Sequence, residues 1–124
     1  MSKKSYTSER YPYLPATITI KKQRKTVEAL LDTGFEGDIV IPEDFMADGQ
    51  DPDSYLRFTL ADPTATVLAP SYLGIVEVAH LGDAGLGTAI ISVLGTEPII
   101  GRNIARRFRI TLERGRQVVI EGVV

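Results

Sequence analysis

Apolar residues in this sequence come in short runs, and turn-forming residues interrupt them about every eight to twelve positions. Such punctuation suits strands rather than helices and predicts a small closed β-barrel or a sandwich. Residues 16–20 alternate apolar and polar at period two, 21–24 form a polar turn, and 25–31 read as the returning strand of a hairpin. Residues 39–41 form a short apolar strand that Pro42 stops, followed by one helical turn at 43–46 and a loop at 47–53. Residues 55–60 and 65–69 flank the turn Ala61-Asp62-Pro63-Thr64 and read as a second hairpin. Further strands are expected at 72–78, 88–94 and 99–100, with a glycine-containing turn at 81–87. Residues 101–107 give the single helix, because Ile104 and Phe108 lie four apart on one side and arginines take the other. A last hairpin pairs 108–113 with 117–121 around Arg114-Gly115-Arg116.

A chain of 124 residues suits one domain with a real core, and its 44% hydrophobic content is ordinary for a globular protein. Fourteen basic residues oppose sixteen acidic ones. A net charge of −2 argues against a nucleic-acid partner. The basic clusters at Lys21, Lys22, Arg24, Lys25 and at Arg102, Arg106, Arg107, Arg109 read as solvated faces. Without cysteine there is no disulfide, thiolate metal site or Cys nucleophile, which fits a reducing compartment. Residues 1–10 are polar and charged, unlike a secretory signal, and no run reaches the length of a membrane span. A cytoplasmic protein without a membrane partner is expected, with residues 1–12 as a flexible arm and 13–124 as the domain.

Asp32-Thr33-Gly34 stands between the apolar runs 27–31 and 39–41. A strand therefore delivers one carboxylate into a turn that glycine permits. Two such carboxylates sharing a proton can activate a water and protonate a leaving amine, because like charges so close cannot both ionise. The chain contains no second Asp-Thr-Gly or Asp-Ser-Gly. A second copy across a two-fold axis must then complete the pair. Ile99-Ile100-Gly101-Arg102-Asn103 is the other notable segment. Two β-branched residues and a glycine just before a helix are expected to pack beside the Asp32 loop.

The order of Leu30-Leu31-Asp32-Thr33-Gly34, an apolar strand, a hairpin, then Ile99-Ile100-Gly101-Arg102-Asn103 and a short helix resembles the retropepsin-like aspartic proteases. These are single-domain, homodimeric relatives of pepsin, and the resemblance covers residues 16–121. It implies a small closed β-barrel of the acid-protease type with one short helix. It implies a homodimeric endopeptidase that hydrolyses polypeptides with water activated between two Asp32 carboxylates, without metal or organic cofactor. Asp32 would be catalytic, Thr33 would hydrogen-bond across the dyad, and Gly34 would make backbone contacts to the bound peptide. The hairpin at 58–67 would be the flap, bringing Ala61, Asp62 and Pro63 over the substrate. Ile99, Ile100 and Gly101 would support the catalytic loop. Arg102 would pair with Glu36 in a partly buried ion pair, worth about 3–5 kcal/mol if deep. Three departures stand out. Phe35 places a large ring after Gly34 and narrows or reshapes the cleft, Pro63 stiffens the flap tip, and the chain ends in its own hairpin.

Other candidates carry less. His80 is the sole histidine, expected exposed at a strand end. Ser71 lacks a nearby base and the nucleophile-elbow glycines. Gly82, Gly85 and Gly87 do not match a phosphate loop. Asp48, Asp51 and Asp53 lack the terminal glutamate of a calcium loop. Two alternatives to a protease remain: a non-catalytic peptide-binding or dimerisation module on the same fold, and a monomeric barrel in which Asp32 caps a turn.

Overall fold

The computed structural model describes residues 3–46, 51–59 and 64–123. The chain begins with β1 (Lys3–Ser8). This segment does not form the expected flexible arm: it pairs antiparallel with the C-terminal strand from Lys3↔Val123 to Ser8↔Val118. Its polar composition conceals the strand because Tyr6 alone reaches the core cluster, while the buried Ser8 hydroxyl donates to the Tyr13 carbonyl at 2.6 Å.

Next come β2 (Tyr13–Ile20) and β3 (Gln23–Leu31), joined by a tight turn at Lys21 and Lys22 in which Lys21 takes φ 54°. The alternation in β2 places Leu14, Ala16, Ile18 and Ile20 in the core, all fully buried. Each isoleucine or leucine buried this way contributes about 1.5–3 kcal/mol. The fully buried β4 (Ile39–Ile41) leads to a 3₁₀ turn at Glu43–Phe45. The neighbouring basic cluster is not merely solvated. Lys21 Nζ donates to the Asp51 carbonyl at 3.0 Å, and Lys25 Nζ donates to that of Phe45 at 2.9 Å while lying 5.1 Å over its ring.

β5 (Ser54–Thr59) and β6 (Thr66–Val78) form the second hairpin, whose tip lies outside the described residues. The strand expected at 72–78 is the second half of one long β6, unbroken by Pro70. A strand this long can change partners. It pairs with β5 up to Ser71, then with β2 from Ile75 to Val78. Its other partner is β7 (Leu86–Val93), reached through a 3₁₀ turn at Gly82–Gly85.

β8 (Ile99–Ile100) and α1 (Arg102–Ala105) follow; the helix is one turn, shorter than the expected 101–107. The final hairpin is β9 (Arg109–Glu113) and β10 (Gln117–Val123), which with β1 makes a three-stranded sheet ordered β1-β10-β9. The remaining strands close a six-stranded barrel, β2-β3-β8-β4-β7-β6 and back to β2, with β5 attached to β6. Closure needs Gly74: a Cβ there would lie 2.5 Å from both the Thr19 carbonyl and Ile91 Cδ1. No helix among the described residues is long and apolar enough to cross a membrane.

Candidate active site

β8 lies between β3 and β4. It runs parallel to the first, Leu30↔Ile99 and Leu31↔Ile100, and antiparallel to the second, Ile39↔Ile100 and Val40↔Ile99. Residues 32–38 must therefore leave β3, arch over β8 and return as β4. Backbone hydrogen bonds hold the start of this arch. Leu30 N–H donates to the Pro98 carbonyl at 2.9 Å, Leu31 to Pro12 at 3.0 Å and Asp32 to Ile100 at 3.0 Å.

The far side of the arch rests on α1. The first N–H groups of a helix have no partner within it. Here Gly101 donates to the Asp38 carbonyl at 2.8 Å, Arg102 to Phe35 at 2.7 Å and Asn103 to Gly37 at 3.2 Å. The helix start and the loop thus satisfy each other. Gly101 is required by close approach rather than by its backbone angle. A Cβ there would collide with the Gly37 carbonyl and come within 2.7 Å of Phe35 Cδ2.

Within the arch, Asp32 Oδ1 accepts the Gly34 N–H at 2.9 Å, and the Asp32 carbonyl accepts the Phe35 N–H at 3.2 Å. This orients the half-buried carboxylate at the surface end of the barrel. Among the described residues none donates to its other oxygen. Thr33 and Gly34 are exposed beside it. Asp38, which sequence reasoning passed over, locks the arch to β7 because its Oδ2 accepts the Ile90 N–H at 2.8 Å. Nothing in its sequence context distinguishes it from an ordinary loop aspartate.

Phe35 does not stand free above Gly34. Its half-buried ring lies over Gly37 and Gly101 and meets Phe58 of β5 at a centroid distance of 5.7 Å, tilted by 44°. A cleft of about 480 Å³ runs between the loop residues Gly34, Phe35, Glu36 and Gly37 and the β5 residues Arg57, Phe58 and Thr59. A smaller cavity of about 120 Å³ lies beside it, sharing Phe35, Gly37 and Phe58 as walls. Phe58 opens the hairpin expected to form the flap, whereas Arg57 had no expected role, because an alternating strand gives no sign of what it faces. Ala61, Asp62 and Pro63 lie outside the described residues.

Arg102 Nη2 lies 2.7 Å from Glu36 Oε1, but the side chains are 53% and 83% exposed. The partial burial expected for this pair is absent, so its worth falls from several kcal/mol to about 0–1 kcal/mol. Behind the arch, the Tyr13 hydroxyl donates to Glu97 Oε2 at 3.2 Å. That hydrogen bond, and then the charge of Glu97, pushes the Tyr13 phenol above its ordinary pKa. Other candidates resolve into structure. Ser71 Oγ lies 2.8 Å from Ser92 Oγ, Asp53 Oδ2 accepts the Leu73 N–H at 2.9 Å, and His80 meets the Tyr6 ring at 5.8 Å. No cluster of three or more His, Asp or Glu side chains among the described residues is arranged to hold a metal ion.

No protein-family model matches the chain, and no curated protein resembles it in sequence. Solved structures do resemble it. A retropepsin-like aspartic protease from Rickettsia conorii superposes with a TM-score of 0.61 at 14% identity, covering 98% of this chain and 91% of that one. The solution structure of simian foamy virus (mac) protease gives a TM-score of 0.50 at 15% identity, over 74% of this chain and 91% of that one. At such identities the likeness is one of fold: the closed barrel with its single short helix is retropepsin-like.

Proposed function

We propose that this protein is a homodimeric aspartic endopeptidase whose site forms where two copies bring their Asp32 carboxylates together. The observation that carries this reading is the carboxylate itself. It is held on an arch that leaves β3, crosses β8 and returns as β4, turned by the Gly34 N–H, with one oxygen accepting from no donor among the described residues, beside a cleft of about 480 Å³. The fold likeness to aspartic proteases supports it.

In such a dimer the two carboxylates share one proton, because the second cannot ionise against the first. The ionised group takes a proton from water as its oxygen bonds to the peptide carbonyl carbon. The protonated group gives its proton to the carbonyl oxygen, forming a tetrahedral diol. Collapse of the diol breaks the C–N bond, and a carboxyl proton passes to the leaving nitrogen. The substrate lies extended between the Asp32 loop and the β5–β6 hairpin.

The test combines turnover with mass. Asp32→Asn is expected to abolish cleavage of an unfolded protein, leaving melting temperature and dimer intact. Analytical ultracentrifugation is expected to show a dimer, and specific activity is expected to fall on dilution as monomer accumulates. Cleavage by a monomer, or wild-type turnover by Asp32→Asn, would sink the shared-carboxylate reading. Peptide binding without turnover would favour a binding module on the same fold.

A further inference from the structure

The charges lining the 480 Å³ cleft do not balance locally. Glu36 on one wall is matched by Arg102 at 2.7 Å. Arg57 on the opposite wall is exposed and pairs with no carboxylate among the described residues. A guanidinium in that position offers a planar fork of donors to a carboxylate and repels an ammonium.

The adjoining 120 Å³ cavity is different in kind. Leu56, Ile39 and Ile90 join Phe35 and Phe58 in its wall. Its three polar side chains are engaged: the Asp38 carboxylate accepts the Ile90 N–H, the Ser92 hydroxyl pairs with Ser71, and Asn103 Oδ1 accepts from Arg106 Nη1 at 3.4 Å. It suits a small aliphatic side chain. The Phe35–Phe58 pair separates the two cavities. Side chains of an extended peptide that point to one face recur every second residue, roughly 6.6 Å apart. Arg57 alternates with Leu56 and Phe58 along β5, so the charge and the pocket meet different, nearby side chains of a bound strand.

We infer that Arg57 is a specificity-determining residue. The bound peptide places an acidic side chain against Arg57 and, close by in its sequence, a small aliphatic side chain in the pocket behind Phe35 and Phe58. The inference rests on the peptide-cleft reading above and concerns recognition rather than turnover.

The test uses the full-length Asp32→Asn protein and two fluorescein-labelled peptides. Both carry a single valine, and the two residues on either side of that valine are Asp in one peptide and Lys in the other. Anisotropy titration is expected to show the Asp peptide bound about fivefold tighter, with the gap narrowing as salt rises. Arg57→Gln should erase the preference and Arg57→Glu should reverse it. Equal affinities, or a preference that survives Arg57→Glu, would overturn the inference. Cleavage of both peptides by the unsubstituted protein is measured in parallel. Selective binding without cleavage would defeat the peptidase reading alone. Cleavage without charge preference would defeat the Arg57 assignment alone, and no binding of either peptide would defeat both.

Discussion

Arg102 reaches Glu36 with Nη2 2.7 Å from Oε1, yet both side chains stand mostly in water. What holds the Asp32 loop to the helix is the backbone beneath them: the Arg102 N–H on the Phe35 carbonyl at 2.7 Å and the Gly101 N–H on that of Asp38 at 2.8 Å. A double-mutant cycle with Arg102→Ala and Glu36→Ala should therefore give a coupling energy of about 0.2–1 kcal/mol that shrinks in high salt. A coupling of several kcal/mol would mean that the pair is buried in the functional assembly.

Gly101→Ala should be far more damaging than its size suggests. The added methyl would collide with the Gly37 carbonyl and lie 2.7 Å from the Phe35 ring. Overpacking of this kind costs about 1–3 kcal/mol. Chemical denaturation of the variant measures it, and an unchanged midpoint would show that the arch is looser than drawn.

Phe35→Ala removes the partition between the large cleft and the small aliphatic cavity. The half-buried ring should cost less than the 3–5 kcal/mol typical of a fully buried one, about 2 kcal/mol. Peptide-library profiles of the variant and the unsubstituted protein should differ, with bulkier side chains accepted once the cavities merge. Identical profiles would place Phe35 outside the substrate path.

Tyr13 gives a pH signature. Its hydrogen bond to Glu97, and then that carboxylate's charge, raise the phenol above 10.0 in the folded protein. A raised folded-state pKa means stabilisation that is fully present below the unfolded value near 10 and is lost as pH rises through the folded value. The melting-temperature advantage of the unsubstituted protein over Tyr13→Phe should be constant at neutral pH and should narrow in the alkaline range. An advantage that grows with pH would contradict the assigned bond.

Much of this molecule could be read from local pattern. The period-two alternation of residues 16–20 and a polar turn read at 21–24, which closes as the shorter turn at Lys21 and Lys22, marked the first hairpin; Asp-Thr-Gly and Ile-Ile-Gly-Arg-Asn marked the loop and the segment beside it. These signals are local because a turn and a pleat are decided by residues within a few positions of one another.

What tertiary structure alone decided are contacts between residues far apart in sequence. β1 was missed because a strand with one core-facing tyrosine looks like a polar arm until β10 lies beside it. β6 continues through Pro70 because that residue pairs with Tyr55 of β5, and it later exchanges β5 for β2. The Arg102–Glu36 spacing suggested a pair but not its exposure, because burial depends on what else packs around both groups. Arg57 joined the cleft only when β5 came opposite the Asp32 loop. A strand's sequence fixes which residues share a face, but only the closure of the barrel determines what that face meets.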